Sequence, residues 1–122
     1  MKLTYVLLLL ALESIAAAPK VYRNCRSTFG GTTFDLLSDG STQYVNFKHG
    51  KDAFYLPLKT ESYDTGGGRH YTQGSKYNFV FKWSWVHDTY PGDSSRATPY
   101  DYEYTTAKGE RVAKEIKCRD VR

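Results

Sequence analysis

Antiparallel β-structure in one small exported domain, with the chain ends tied by a disulfide, is what this sequence predicts, and three observations carry the prediction. Short runs rich in Tyr, Phe, Val and Thr alternate with Gly, Asp and Pro turn signals at roughly ten-residue spacing, the rhythm of strands joined by hairpins. The chain opens with an apolar leader, and its 2 cysteines, Cys25 and Cys118, stand near the two ends of the remaining chain. At 122 residues, 40% hydrophobic and with a net charge of +4, the chain is long enough for a single core and too apolar for a disordered protein.

Lys2 supplies a positive start, Val6 to Leu12 is an unbroken apolar run, and Ala16-Ala17-Ala18 ends it with small residues, the three parts of a secretory signal peptide. Pro19 would sit badly directly after a cut bond, so the leader is residues 1–17 and the mature domain residues 18–122. The apolar run from Leu3 to Leu12 is about half of the roughly 20 residues a spanning helix needs, so no membrane contact is expected. Export to an oxidising compartment lets Cys25 pair with Cys118, the single intramolecular connectivity open to two cysteines. Two distant cysteines without paired histidines build no closed metal site, and no metal or cofactor is expected.

Taken in order, Val21 to Phe29 reads as a first strand. Thr32 to His49 is open: Phe34, Leu37, Tyr44, Val45 and Phe47 allow a helix, with Ser41 able to cap one, whereas Asp39-Gly40 makes a good hairpin turn. Ala53 to Lys59 is extended, with Pro57 demoting it to an edge or a strand end, and Asp64-Thr65-Gly66-Gly67-Gly68 is a flexible loop. Lys76 to Val86 is the central strand. Its alternation puts Tyr77, Phe79, Phe81, Trp83 and Trp85 on the core face and Asn78, Val80, Lys82 and Ser84 on the other. A polar loop from His87 to Pro99 leads to a last hairpin, Tyr100 to Thr106 with Glu110 to Cys118, turning at Ala107-Lys108-Gly109.

Acid–base chemistry would start from His49, His70 or His87, because histidine alone titrates near neutrality without help. Glu61, Arg69 and His70 contain the groups that phosphodiester cleavage requires. On a strand, however, the neighbours Arg69 and His70 point to opposite faces and cannot serve one site. Nucleophile elbows are absent from the sequence, and Gly66-Gly67-Gly68 lacks the lysine and spacing of a phosphate loop.

Binding is the better-supported activity. Residues 44–85 and the tail from Lys108 are basic, while residues 86–107 are acidic, and basic patches interleaved with Tyr and Trp suit an RNA backbone with stacked bases. The expected RNA-binding set is Lys59, Arg69, His70, Tyr71 and Lys82, with Lys82 leaving the central strand opposite the aromatic face. A protein partner would be met first by the exposed Tyr90-Pro91-Gly92-Asp93 loop.

The order of features resembles the ribonuclease-like effectors that powdery-mildew fungi secrete from haustoria. The shared features are a short leader, Tyr22 ahead of the early Cys25, the Tyr55-Leu56-Pro57 segment, a central aromatic strand, the Tyr100-Asp101-Tyr102-Glu103-Tyr104 hairpin and the closing Cys118. This resemblance implies an α+β domain like the small fungal ribonucleases: one short helix packed on a twisted antiparallel sheet, its termini joined by a disulfide. An all-β sandwich or barrel is the alternative. The family's ribonuclease relatives use a glutamate on the central strand and a histidine near the chain end, but Asn78-Phe79-Val80-Phe81-Lys82 and Val112 to Lys117 contain neither. The resemblance therefore implies a monomeric scaffold without catalytic residues. It would be secreted, translocated into host plant cells, bind host RNA or a host protein, suppress defence and be open to recognition by an intracellular immune receptor. Two other functions stand beside it: an active secreted ribonuclease using His70, Glu61 and Arg69, and an unrelated all-β secreted interaction module.

Overall fold

The computed structural model describes residues 17–84 and 97–121. The expected signal peptide (all but Ala17), Trp85, His87 and the segment Tyr90-Pro91-Gly92-Asp93 lie outside the described residues. Eight strands succeed one another: β1 (Lys20–Arg26), β2 (Thr32–Ser38), β3 (Gln43–His49), β4 (Asp52–Ser62), β5 (Gly68–Tyr71), β6 (Val80–Trp83), β7 (Thr98–Thr105) and β8 (Arg111–Asp120). Each pairs antiparallel with the next, and β1 also pairs antiparallel with β8, which closes an up-and-down barrel. The expected α+β architecture is thus corrected to its all-β alternative, since no helix occurs among the described residues.

The correction comes from Thr32 to His49, which forms the β2–β3 hairpin. Thr32, Phe34 and Leu36 are buried on one strand and Val45 and Phe47 on the other, a period of two that a helix would have scattered around its circumference. The turn then settles the matter. Gly40 adopts φ +97°, a conformation costly for any residue with a Cβ, and Asp39 Oδ1 accepts hydrogen bonds from the Ser41 and Thr42 amides. Ser41, read as a possible helix cap, instead donates its hydroxyl to the same Asp39 carboxylate.

Other expectations shift by smaller amounts. The central strand is shorter than Lys76 to Val86: its ladder begins at Val80, because Asn78 sits at φ +44° and breaks the extended chain. Phe79 and Phe81 still face the core, and Lys82 still faces out. Residues 64–68, read as a flexible loop, form a hydrogen-bonded turn in which the Tyr63 amide donates to the Gly67 carbonyl at 3.0 Å, and Gly68 already belongs to β5. A Cβ on Gly68 would lie 2.7 Å from the Trp83 ring, so this position has room only for glycine. Pro57 stands within β4, in a stretch paired with β3 but not with β5, where a missing N–H leaves no ladder bond unmade.

The barrel interior is filled. Phe34, Phe47, Phe54 and Phe79 pack with Tyr102 and Tyr104 in its upper half, the half that carries the β7–β8 turn; the Phe47 ring lies 4.6 Å from Phe54 and 4.5 Å from Tyr104. In the lower half, beside the chain ends, the expected disulfide is present. Cys25 and Cys118 stand directly opposite in the β1–β8 register with an S–S distance of 2.04 Å.

A candidate binding surface on the barrel wall

Alternation along β5 decides where the expected RNA-binding residues go. Arg69 and Tyr71 leave the outer wall, while Gly68 and His70 are buried on the inner one. The register sets Lys59 opposite Tyr71 and Arg69 opposite Lys82, so four of the five residues gather on the outer face of β4, β5 and β6. His70 does not join them.

Local charge weakens this wall as an anion site. Arg69 donates to Glu61 Oε2 through Nε at 3.1 Å and Nη2 at 2.9 Å, and its guanidinium lies 4.5 Å from the centre of the Tyr71 ring. The bond to Glu61 pushes the guanidinium's proton affinity up, and the stacked arginine already covers one face of the ring a base would use. Lys82 is flanked by Asp101 of β7, so the row across the wall reads Glu61, Arg69, Lys82, Asp101, cations bracketed by carboxylates. A phosphate approaching this row would meet both signs.

Inside the barrel, His70 Nδ1 is 2.8 Å from Thr60 Oγ1 and its ring stacks on Trp83 at 4.5 Å. Burial, and then the nearby positive Arg23, push its pKa down to about 4, so the ring is neutral at physiological pH. Glu61 and Arg69 lie across the sheet from it. The triad of the active-ribonuclease alternative is therefore divided by the barrel wall, as strand alternation requires.

Arg23 is the inward polar residue that the sequence reading missed. Its guanidinium lies 4.8 Å from the Tyr100 ring centre and 5.7 Å from that of Phe81, and Nε approaches Asp120 Oδ1 at 3.5 Å without completing a hydrogen bond. The signal was available: Arg23 is two residues from Cys25, and the disulfide fixes Cys25 as inward, so alternation turns Arg23 inward as well. Near the same end, the Tyr22 hydroxyl donates to Gln43 Oε1, and burial pushes the phenol's pKa up to about 12.

A second part of the wall, not singled out from the sequence, gathers exposed cations. Arg26 of β1 is paired in register with Lys117 of β8, and Asn24 with Arg119, around a shallow groove of about 220 Å³ that Ser27 and Thr28 complete. Neither Arg26, Lys117 nor Arg119 makes an ion pair among the described residues. Among those residues no three His, Cys, Asp or Glu side chains converge as metal ligands. The chain matches no family model, no curated protein and no solved structure.

Proposed function

We propose that this chain is a secreted interaction module without catalytic activity, which meets a macromolecular partner on the outer wall of its barrel. One observation carries the reading: the three groups expected to perform phosphodiester cleavage are divided by the sheet, His70 inward and neutral, Glu61 and Arg69 outward and bonded to each other. The aromatic side chains filling the interior leave the wall as the surface for recognition. The leader and the order of features shared with ribonuclease-like effectors support export and action on a host protein inside plant cells, where an immune receptor could detect it. The ribonuclease-type fold of those effectors is not part of the proposal. RNA on the β4–β6 wall is the second reading, favoured by the gathering of Lys59, Arg69, Tyr71 and Lys82 there.

Incubating purified protein with total RNA tests the central claim on a gel. The RNA stays intact with the parent chain and equally with His70→Ala and Glu61→Ala. Cleavage that survives repeated purification and disappears in either variant would show an enzyme.

A further inference from the structure

The barrel is not closed by hydrogen bonds along its whole height. β1 pairs with β8 only from Lys117 to Asp120, whereas β8 begins at Arg111. Residues 111–116 therefore have a ladder to β7 on one side and, among the described residues, no strand on the other. At about 3.4 Å per residue this exposed edge is roughly 20 Å long.

Two hydrogen bonds fix which backbone groups it presents. The Thr106 amide donates to the Glu110 carbonyl at the β7–β8 turn, so even-numbered residues of β8 bond to β7; the Val121 amide donates to the Tyr22 carbonyl, so odd-numbered residues face β1. Ala113 and Glu115 thus direct their N–H and C=O groups toward the open side. The corresponding stretch of β4 is not bare, because the Thr72–Phe79 segment folds over it and Tyr77 stacks on Phe54 at 4.4 Å.

Beside the β8 edge runs a trough of about 460 Å³ lined by Thr28, Phe29, Lys114, Glu115 and Lys117. Phe29 is 86% exposed, the most exposed of the large apolar side chains among the described residues. Lys114 and Lys117 line the trough with the single carboxylate of Glu115, Arg26 stands opposite Lys117 in the β1–β8 register, and none of the three cations makes an ion pair among the described residues.

We infer that the β8 edge takes up an extended acidic segment of a partner protein as an added strand, with Arg26 and Lys117 pairing carboxylates on its outer face, Lys114 pairing one on the other face, and Phe29 covering one apolar side chain. Backbone groups recurring every second residue are met by another backbone in extended form, which is how strand addition obtains affinity, while the flanking charges choose the sequence. The same charges oppose a second copy of this chain, since antiparallel pairing of two β8 edges brings their lysines together. The inference rests on the interaction-module reading and names its site.

Amide exchange on the ¹⁵N-labelled secreted protein, disulfide intact, tests it. The probes are a short blocked peptide of alternating Glu and Val, the matching Lys and Val peptide, and a short single-stranded RNA. The acidic peptide slows exchange at Ala113 and Glu115 by roughly tenfold or more while Lys114, already bonded to β7, changes little. Arg26→Glu with Lys117→Glu, the two cations on the face the peptide's carboxylates share, abolishes that protection, and Ala113→Pro does the same by removing an N–H that the β7 ladder does not use. Should Ala113→Pro fail to fold, the charge variant decides. No protection by the acidic peptide, protection at other strands, or equal protection by the basic peptide or the RNA overturns the inference. If RNA meanwhile stays intact in the cleavage assay, the module reading survives that failure; cleavage lost in His70→Ala would remove the reading itself.

Discussion

The two ends of the barrel are held by different physics. At the lower end β1 and β8 share a backbone ladder and a covalent bond, and the interior there tolerates a guanidinium, Arg23, and an imidazole, His70. At the upper end the β1–β8 ladder is missing, and the strands are held by packed rings. Short hydrogen bonds assist: Thr32 Oγ1 lies 2.6 Å from His49 Nδ1 and 2.8 Å from the Tyr102 hydroxyl. At the closed end the interior holds a guanidinium and an imidazole against aromatic rings; at the open end its polar atoms bond to one another among the packed rings. The comparison also explains why one end can present a strand edge without unravelling.

The largest effect should come from the lower end. Replacing Cys25 or Cys118 with Ser removes a crosslink spanning 93 positions, which the chain-entropy model values at about 4.5 kcal/mol. Denaturant unfolding measures the loss, and amide exchange should rise first at Arg23–Arg26 and Lys117–Asp120. Two free thiols in native oxidised protein would show that the bond does not form.

Phe47→Ala probes the upper end. Its ring contacts those of Phe34, Phe54, Phe79, Tyr102 and Tyr104, so truncation should cost about 3–5 kcal/mol through lost burial and the cavity left behind. The β7–β8 hairpin above Ile116 should loosen while the β1–β8 ladder keeps its exchange protection. Uniform loosening of both ends would mean that the two halves act as one unit.

Acid distinguishes the ends again. His70 has a folded pKa of about 4 against an ordinary value of 6.5, so between those pH values the unfolded chain binds the extra proton and the folded chain does not. Stability therefore falls as pH drops from about 6.5 to about 4, by at most roughly 3 kcal/mol, and levels off below. His70→Phe keeps a ring against Trp83 and should flatten this part of the stability curve; an unchanged slope would place the acid sensitivity elsewhere.

How much of the fold and of the wall was legible from sequence depends on the range of the interactions involved. The disulfide, the last hairpin and the inward face of Phe79 and Phe81 are set by composition and local alternation. The β2–β3 hairpin was legible in principle, since Phe34, Leu36, Val45 and Phe47 alternate; taking Leu37 in place of Leu36 as the apolar marker let a helix compete. Of the expected site, alternation correctly separated Arg69 from His70. It could not show that Glu61 and Asp101 would flank the cations, because those neighbours come from strands β4 and β7, and cross-strand register is not written in any single segment. The open β8 edge was hidden for the same reason: it exists because β1 stops at Arg26 while β8 runs on.

The smallest stability effect should come from the outer wall, which belongs to neither end. Lys59, Arg69 and Lys82 lie on the outer face, so reversing all three to Glu should lower the thermal midpoint only modestly, through the lost Arg69–Glu61 pair and the like charges it sets beside Glu61 and Asp101. If RNA binds on the β4–β6 wall, its contacts are chiefly to phosphates, and parent affinity falls steeply with salt and varies little with sequence. The triple variant then loses binding together with its salt slope. A parallel variant, Arg26→Glu with Lys117→Glu and Arg119→Glu, changes the opposite wall by the same charge. Loss confined to the first variant assigns RNA to β4–β6; loss confined to the second moves it to the β1–β8 groove, where the cations have no carboxylate partners among the described residues. Unchanged affinity and salt slope in both remove RNA from the wall and leave the protein partner.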